Sequence, residues 1–186
     1  MSLLRPLQVA GVLSLGAVSL SGCLSEPSYP TTPSISFNSI ERKRFTIGNA
    51  VIDSVFLTID FQDGDGDLGV TDAEEKAAAN TKFKGRNFIM TPFIKNASTG
   101  GRFDSLSRVR PFYATRTAFY DRFGHLSTTT DNRVSPLRGT LTRAYRFALT
   151  EEYEATNEAK FTVSILDRAL HQSNEIETTS IVIPAP

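Results

Sequence analysis

Val51-Ile52-Asp53-Ser54-Val55-Phe56-Leu57-Thr58-Ile59-Asp60-Phe61 runs without a break into Gln62-Asp63-Gly64-Asp65-Gly66-Asp67-Leu68-Gly69. In the first part Val55, Leu57, Ile59 and Phe61 fall on one face, and Phe56, Thr58 and Asp60 on the other. A period of two over that length predicts a β-strand with a buried face. The strand ends in three carboxylates spaced two residues apart and separated by glycines. Like charges that close repel one another, so such a turn is stable only when solvated or neutralised by a cation.

Outward from this strand the chain continues to read as β. Ser34 to Ile40 alternates cleanly and predicts a first strand. Asn87 to Ile94 predicts another, with Pro92 marking an edge or a bulge because it has no N–H to donate. Val109 to Phe123 predicts one or two strands, and Gly139 to Leu149, Phe161 to Leu166 and Ile176 to Ile183 the rest. Asn96 to Gly101 is a turn, and Asp167 to Glu175 a hairpin loop. The one helical signal is Asp72 to Ala79, about two turns, with Asp72 as cap and Glu75 completing the capping pattern. Seven or eight short strands with polar turns and one short helix after the acidic loop predict an all-β fold, an antiparallel β-sandwich. The domain is expected over residues 34–186.

The N-terminal side differs in character. Met1 to Pro6 carries a single charge, Arg5, and Leu7 to Leu20 is mostly apolar and small. At about fourteen residues the run is too short for the roughly twenty a membrane span needs, and fits the hydrophobic region of a secretory signal. It ends in Leu20-Ser21-Gly22-Cys23, which resembles the bacterial lipobox. That resemblance implies cleavage of residues 1–22 and acylation of Cys23, the only cysteine. It also implies a membrane anchor, since two or more acyl chains hold stably where one does not. Leu24 is not the Asp that this family uses for inner-membrane retention, so the resemblance points to the bacterial outer membrane, with the leaflet undecided. Residues 23–33, with three prolines in SEPSYPTTP, read as an extended spacer.

Further motifs carry a second resemblance. The chain combines a lipobox, Phe61 to Gly69, Arg133-Val134-Ser135-Pro136-Leu137 with Gly139, and Asp167-Arg168-Ala169-Leu170-His171-Gln172-Ser173-Asn174. Together these resemble a group of small Bacteroidetes outer-membrane lipoproteins. The last piece is also similar to the F–G hairpin of bacterial immunoglobulin-like domains, with Leu170-His171 standing where those have Gly-Asn. The resemblance implies an address and an immunoglobulin-like sandwich rather than an activity.

The acidic loop holds the sharpest chemical candidate. Against an EF-type calcium loop, Asp63, Asp65 and Asp67 match the first three ligand positions and Glu74 the last, but Leu68 stands where that loop needs glycine. A strand precedes the loop, so it is no EF-hand. A sandwich-type Ca²⁺ site remains, with Asp72 or Glu74 completing the shell. With Val51–Phe61 as strand B and Phe161–Leu166 as strand F, sandwich topology would bring Asp167 and Asn174 near the loop and add Asp167 as a ligand, because loops B–C and F–G emerge at the same end. The competing reading is an ordinary acidic turn.

Catalysis is not expected. His125 and His171 lack metal-ligand spacing, no serine sits in a nucleophile elbow, and no phosphate-binding glycine loop is present. Twenty basic residues balance twenty acidic ones, so no nucleic-acid partner is expected. Nine arginines and no lysine between Arg102 and Arg146 are either solvated strand faces or a contact surface. The expected function is a lipid-anchored, calcium-stabilised envelope module that binds an envelope protein or glycan. The alternatives are a glycan hydrolase using loop carboxylates and an accessory subunit of an outer-membrane complex.

Overall fold

The computed structural model describes residues 28–78, 83–109, 118–126, 135–148 and 157–183. The expected leader over residues 1–22 and the expected acylation site Cys23 lie outside these, as does the segment 110–117 within the expected Val109–Phe123 strands. Among the described residues no helix is long and apolar enough to cross a membrane.

The described chain is a mostly all-β domain of two sheets. In the first, β1 (Ser34–Ile47), β2 (Ala50–Asp63) and β6 (Leu137–Ala148) lie in the order β1-β2-β6. In the second, β3 (Phe88–Asn96) and β7 (Asn157–Ile165) form the centre. The short strands β4 (Arg102–Ser105) and β5 (Phe119–Asp121) pair with β3, and β8 (Ile176–Glu177) and β9 (Ile181–Ile183) pair with β7. Every pairing is antiparallel.

The alternation in β2 builds the core. Val55, Leu57, Ile59 and Phe61 point inward with Ile35 and Leu137 from the flanking strands. They meet Phe88, Met90 and Ile94 of β3 and Ala159, Phe161, Val163 and Ile165 of β7 in one buried cluster. Each large side chain buried here contributes about 1.5–3 kcal/mol. The two sheets are thus glued by the faces that a period of two creates.

Three of the strand expectations need correction. β1 extends to Ile47 instead of ending at Ile40, because the polar run Glu41 to Thr46 forms a hairpin with β2. Pro92 lies on a central strand, not an edge. Its partner Phe161 sends its N–H away from β3, to the Thr178 hydroxyl at 3.0 Å. Pro92 therefore faces the gap between the pairings of β5 and β4, where no ladder bond is asked of it. The last strand is split, and the Thr178 hydroxyl fills the break between β8 and β9.

The helix α1 (Asp72–Ala77) is capped one residue earlier than expected. Thr71 is the N-cap and Glu74, not Glu75, completes the capping box. The Thr71 hydroxyl accepts from the Glu74 amide, and the Glu74 carboxylate accepts from the Thr71 amide at 2.8 Å. A second helical turn, α2 (Leu106–Val109), follows β4.

Candidate metal centre

Asp63 is the last residue of β2 and keeps the strand's inward direction, so its carboxylate is buried under the end of the sandwich. One of its oxygens accepts from the Asp67 amide at 3.0 Å, folding the loop back on itself. Asp65 and Asp67 stay half-buried and turn the same way. One carboxylate oxygen from each of Asp63, Asp65 and Asp67 lies within 4.8 Å of the other two. Two oxygens on opposite sides of a calcium ion at its usual ~2.4 Å would stand ~4.8 Å apart, so the cluster fits one divalent cation.

The surrounding chain forces this convergence. Leu68 is fully buried and anchors the loop to the core. The Gly64 amide donates to the Pro30 carbonyl at 2.8 Å, and a Cβ at Gly64 would sit 2.1 Å from the Tyr29 carbonyl oxygen. Gly66 has φ +68°, and a Cβ there would come 2.1 Å from the Ser135 carbonyl oxygen. Only glycine fits a left-handed turn pressed that closely against backbone. Leu126 closes the outer side by donating to the Leu68 carbonyl at 2.9 Å.

The cluster lacks internal compensation. Four buried side-chain polar atoms among the described residues have no hydrogen-bond partner. Three of them are Oδ1 of Asp63, Asp65 and Asp67. Each such atom costs about 1–3 kcal/mol if nothing satisfies it. Burial first, and then the charges of Asp65 and Asp67, push the Asp63 carboxyl up to about 7. Asp67 is raised by burial and by Asp167 and Asp65, against the pull of the Ala169 amide and Arg168.

The other expected ligands are placed differently. Asp167 does arrive at this end of the sandwich, where it bridges to Leu68. Both of its oxygens are used locally: one accepts from the His171 amide at 2.7 Å and the other meets His171 Nδ1 at 2.8 Å. Its charge still bears on Asp63 and Asp67. Asp72 is exposed and paired with Arg122 at 2.6 Å. Glu74 is taken by the cap and by an ion pair to Arg168. The Thr71 amide and hydroxyl, with Arg168 behind them, hold its carboxyl at about 2. The structure therefore gathers Asp63, Asp65 and Asp67, sets Asp167 beside them, and leaves Asp72 and Glu74 to other work.

Sequence reasoning did not find the carbonyls of Pro30 and Ser135 that press on the loop, nor the Asp167–His171 contact. The latter had a signal in the four-residue spacing. The former had none, since backbone carbonyls are invisible in composition. Comparison of the chain with protein-family models, with curated proteins and with solved structures finds no match.

Proposed function

We propose that this chain is a lipid-anchored module of the bacterial outer envelope, an immunoglobulin-like sandwich whose loop end is held together by calcium and which acts by binding a partner. The observation that carries the cation reading is the trio of buried, unpartnered Oδ1 atoms on converging aspartates. Calcium is favoured over magnesium because it accepts several carboxylates in flexible geometry, whereas magnesium keeps most of its water. The immunoglobulin-like reading is supported by the strand orders β1-β2-β6 and β4-β3-β7-β8, which parallel A-B-E and C′-C-F-G. The anchor reading rests on Leu20 to Cys23.

Thermal unfolding of the protein beginning at Leu24, with Ca²⁺ and with chelator, tests the site. At a hundredfold excess over Kd the ion should add about 2.7 kcal/mol, several degrees in Tm, and Asp65→Asn should abolish the gain. No shift at millimolar Ca²⁺ would sink the cation reading. For the anchor, metabolic lipid labelling that survives Cys23→Ser would refute it.

One observation favours a second reading, an envelope glycan hydrolase. Asp63, pushed up to about 7 beside two further carboxylates, has the proton affinity of a general acid. Against it, one oxygen of each of the three carboxylates converges within 4.8 Å of the others, an arrangement suited to holding one cation more than to flanking a glycosidic bond from two sides. Release of reducing sugar from envelope glycan, lost in Asp63→Asn, would decide for the enzyme. A third reading, an accessory subunit, is favoured by Phe45 and Ile47, 45% and 60% exposed near the β1–β2 hairpin tip. Co-purification of an outer-membrane partner that is lost in Phe45→Ser would support it.

A further inference from the structure

The outer face of the β1-β2-β6 sheet is not uniform. Towards the hairpin tip it carries Glu41 and Lys43, long charged side chains that pair with each other at 3.6 Å. Towards the acidic loop two successive outward rungs read Ser34–Gln62–Arg138 and Ser36–Asp60–Thr140 across the three strands. These rungs line a concavity of about 520 Å³, with Ile35, Phe61 and Gly139 of the rung between them as its floor. That volume lies within the ~300–1,000 Å³ of small-ligand sites.

The lining chemistry narrows the ligand. Side chains of Ser, Thr and Gln both donate and accept, and the short ones lose little entropy when a ligand orders them. Asp60 is held in place by Asn38, whose amide donates to one carboxylate oxygen at 3.0 Å, which leaves the other oxygen for a ligand. Arg138, one rung away, has no ion pair with any described residue. A carboxylate and a guanidinium facing the same hollow without pairing offer an acceptor and a planar donor at once. Their charges cancel, so an anionic lipid headgroup or phosphate gains nothing over a neutral ligand. No aliphatic or aromatic side chain projects outward from either rung, so an apolar peptide side chain has no anchor.

We infer that this concavity is a binding site for a neutral saccharide, with Asp60 accepting from sugar hydroxyls, Arg138 donating to ring or hydroxyl oxygens, and Gln62, Ser34, Ser36 and Thr140 completing the contacts. The inference names a partner class for the binding role proposed above. It rests on that role and not on the cation. With no aromatic platform beneath the sugar, the affinity is weak, with Kd about 1 mM, or ~4 kcal/mol of binding free energy.

The test is NMR titration of the protein beginning at Leu24 with maltotetraose, cellotetraose, mannotetraose and chitotetraose, in Ca²⁺ and again in chelator. Saturable shifts of the Ser34, Ser36, Gln62 and Thr140 amides are expected with at least one sugar. Binding should weaken at least tenfold in Asp60→Ala and in Arg138→Ala, and persist in Lys43→Ala on the other half of the same face. Absence of shifts with all four sugars overturns the inference, as do shifts that survive both substitutions. The Tm recorded on the same samples reports on the cation separately, so a failed titration with an intact Ca²⁺ shift leaves the metal site standing.

Discussion

Asp53 and Asp63 stand ten residues apart on β2, point to the same inner face and are both fully buried, yet their surroundings are opposite. At Asp53, Arg42 and Arg44 of the neighbouring strand reach across from the same face, Arg42 with one contact and Arg44 with two, each at 3.0 Å. Burial alone would raise that carboxyl, but the hydrogen bonds and charges of Arg44 and Arg42 outweigh it and the net shift is downward. At Asp63 no cation among the described residues answers, the charges that bear on it most are two more aspartates, and the carboxyl rises to about 7. One end of the strand carries its counter-charge in the sequence. The other end, among the described residues, has none.

The largest way to break this contrast is to supply the missing charge. Saturating Ca²⁺ should stabilise the wild-type fold by about 2.7 kcal/mol in thermal unfolding. Asp53, already compensated, should add nothing, so Asp53→Ala should leave that increment intact. Asp53→Ala should itself cost about 2 kcal/mol in urea unfolding, because Arg42 and Arg44 lose their acceptor while remaining two-thirds covered. Asp63→Asn in chelator should do the reverse and stabilise the protein by about 1 kcal/mol, since it removes a buried charge that no cation among the described residues offsets, while an amide oxygen can still accept from the Asp67 amide. A loss of stability there would mean that the carboxylate already has a cationic partner in the protein.

The two aspartates should also separate by pH. The Asp63 carboxyl lies above its ordinary 3.8 in the folded state, so the folded protein binds the extra proton between that value and about 7. Stability in chelator should therefore fall as pH rises across that window, and Ca²⁺ should remove the fall. Asp53 is shifted the other way, so its contribution is present above the ordinary carboxylate range and lost as acid protonates it. Denaturant midpoints across pH 3 to 8, with and without Ca²⁺, would check both signs. The smallest effect is at the cap: Thr71→Ala should cost about 1 kcal/mol and loosen the Glu74–Arg168 pair that joins α1 to the turn after β7.

The contrast also marks what could be read from the chain. Val55 to Phe61 announced a strand because every inner position was apolar, and the strand carried the acidic loop with it. The same rule hid the far half of β1. Arg42 and Arg44 occupy inner positions there, but they meet Asp53 instead of the core, so no apolar alternation marks the strand beyond Ile40. The cap was misplaced by one residue because Thr71 and Asp72 are both good capping types and only backbone geometry chooses between them. Convergence of Asp63, Asp65 and Asp67 followed from spacing and glycine. That Asp72 and Glu74 would be drawn off by Arg122 and Arg168 did not, because those arginines come from distant segments. The strands β4 and β5 are too short for any period to show.

The way β1 is fastened has a mechanical consequence. Its first residues lie beside Gln62 at the loop end, where the Asn174 side chain both donates to the Ile35 carbonyl and accepts from the Ile35 amide, each at 2.9 Å. Ile183 lies at the opposite end, paired with Asn157. Tension between Ser34 and Ile183 therefore runs along the strands. It would load the β1–β2 ladder in shear, with many bonds resisting together, where a peeling pull would break them one at a time. The first bonds to feel it are those at Asn174 and, just upstream, the Pro30–Gly64 contact on the acidic loop, so a cation bound there would stiffen the point at which force enters the domain.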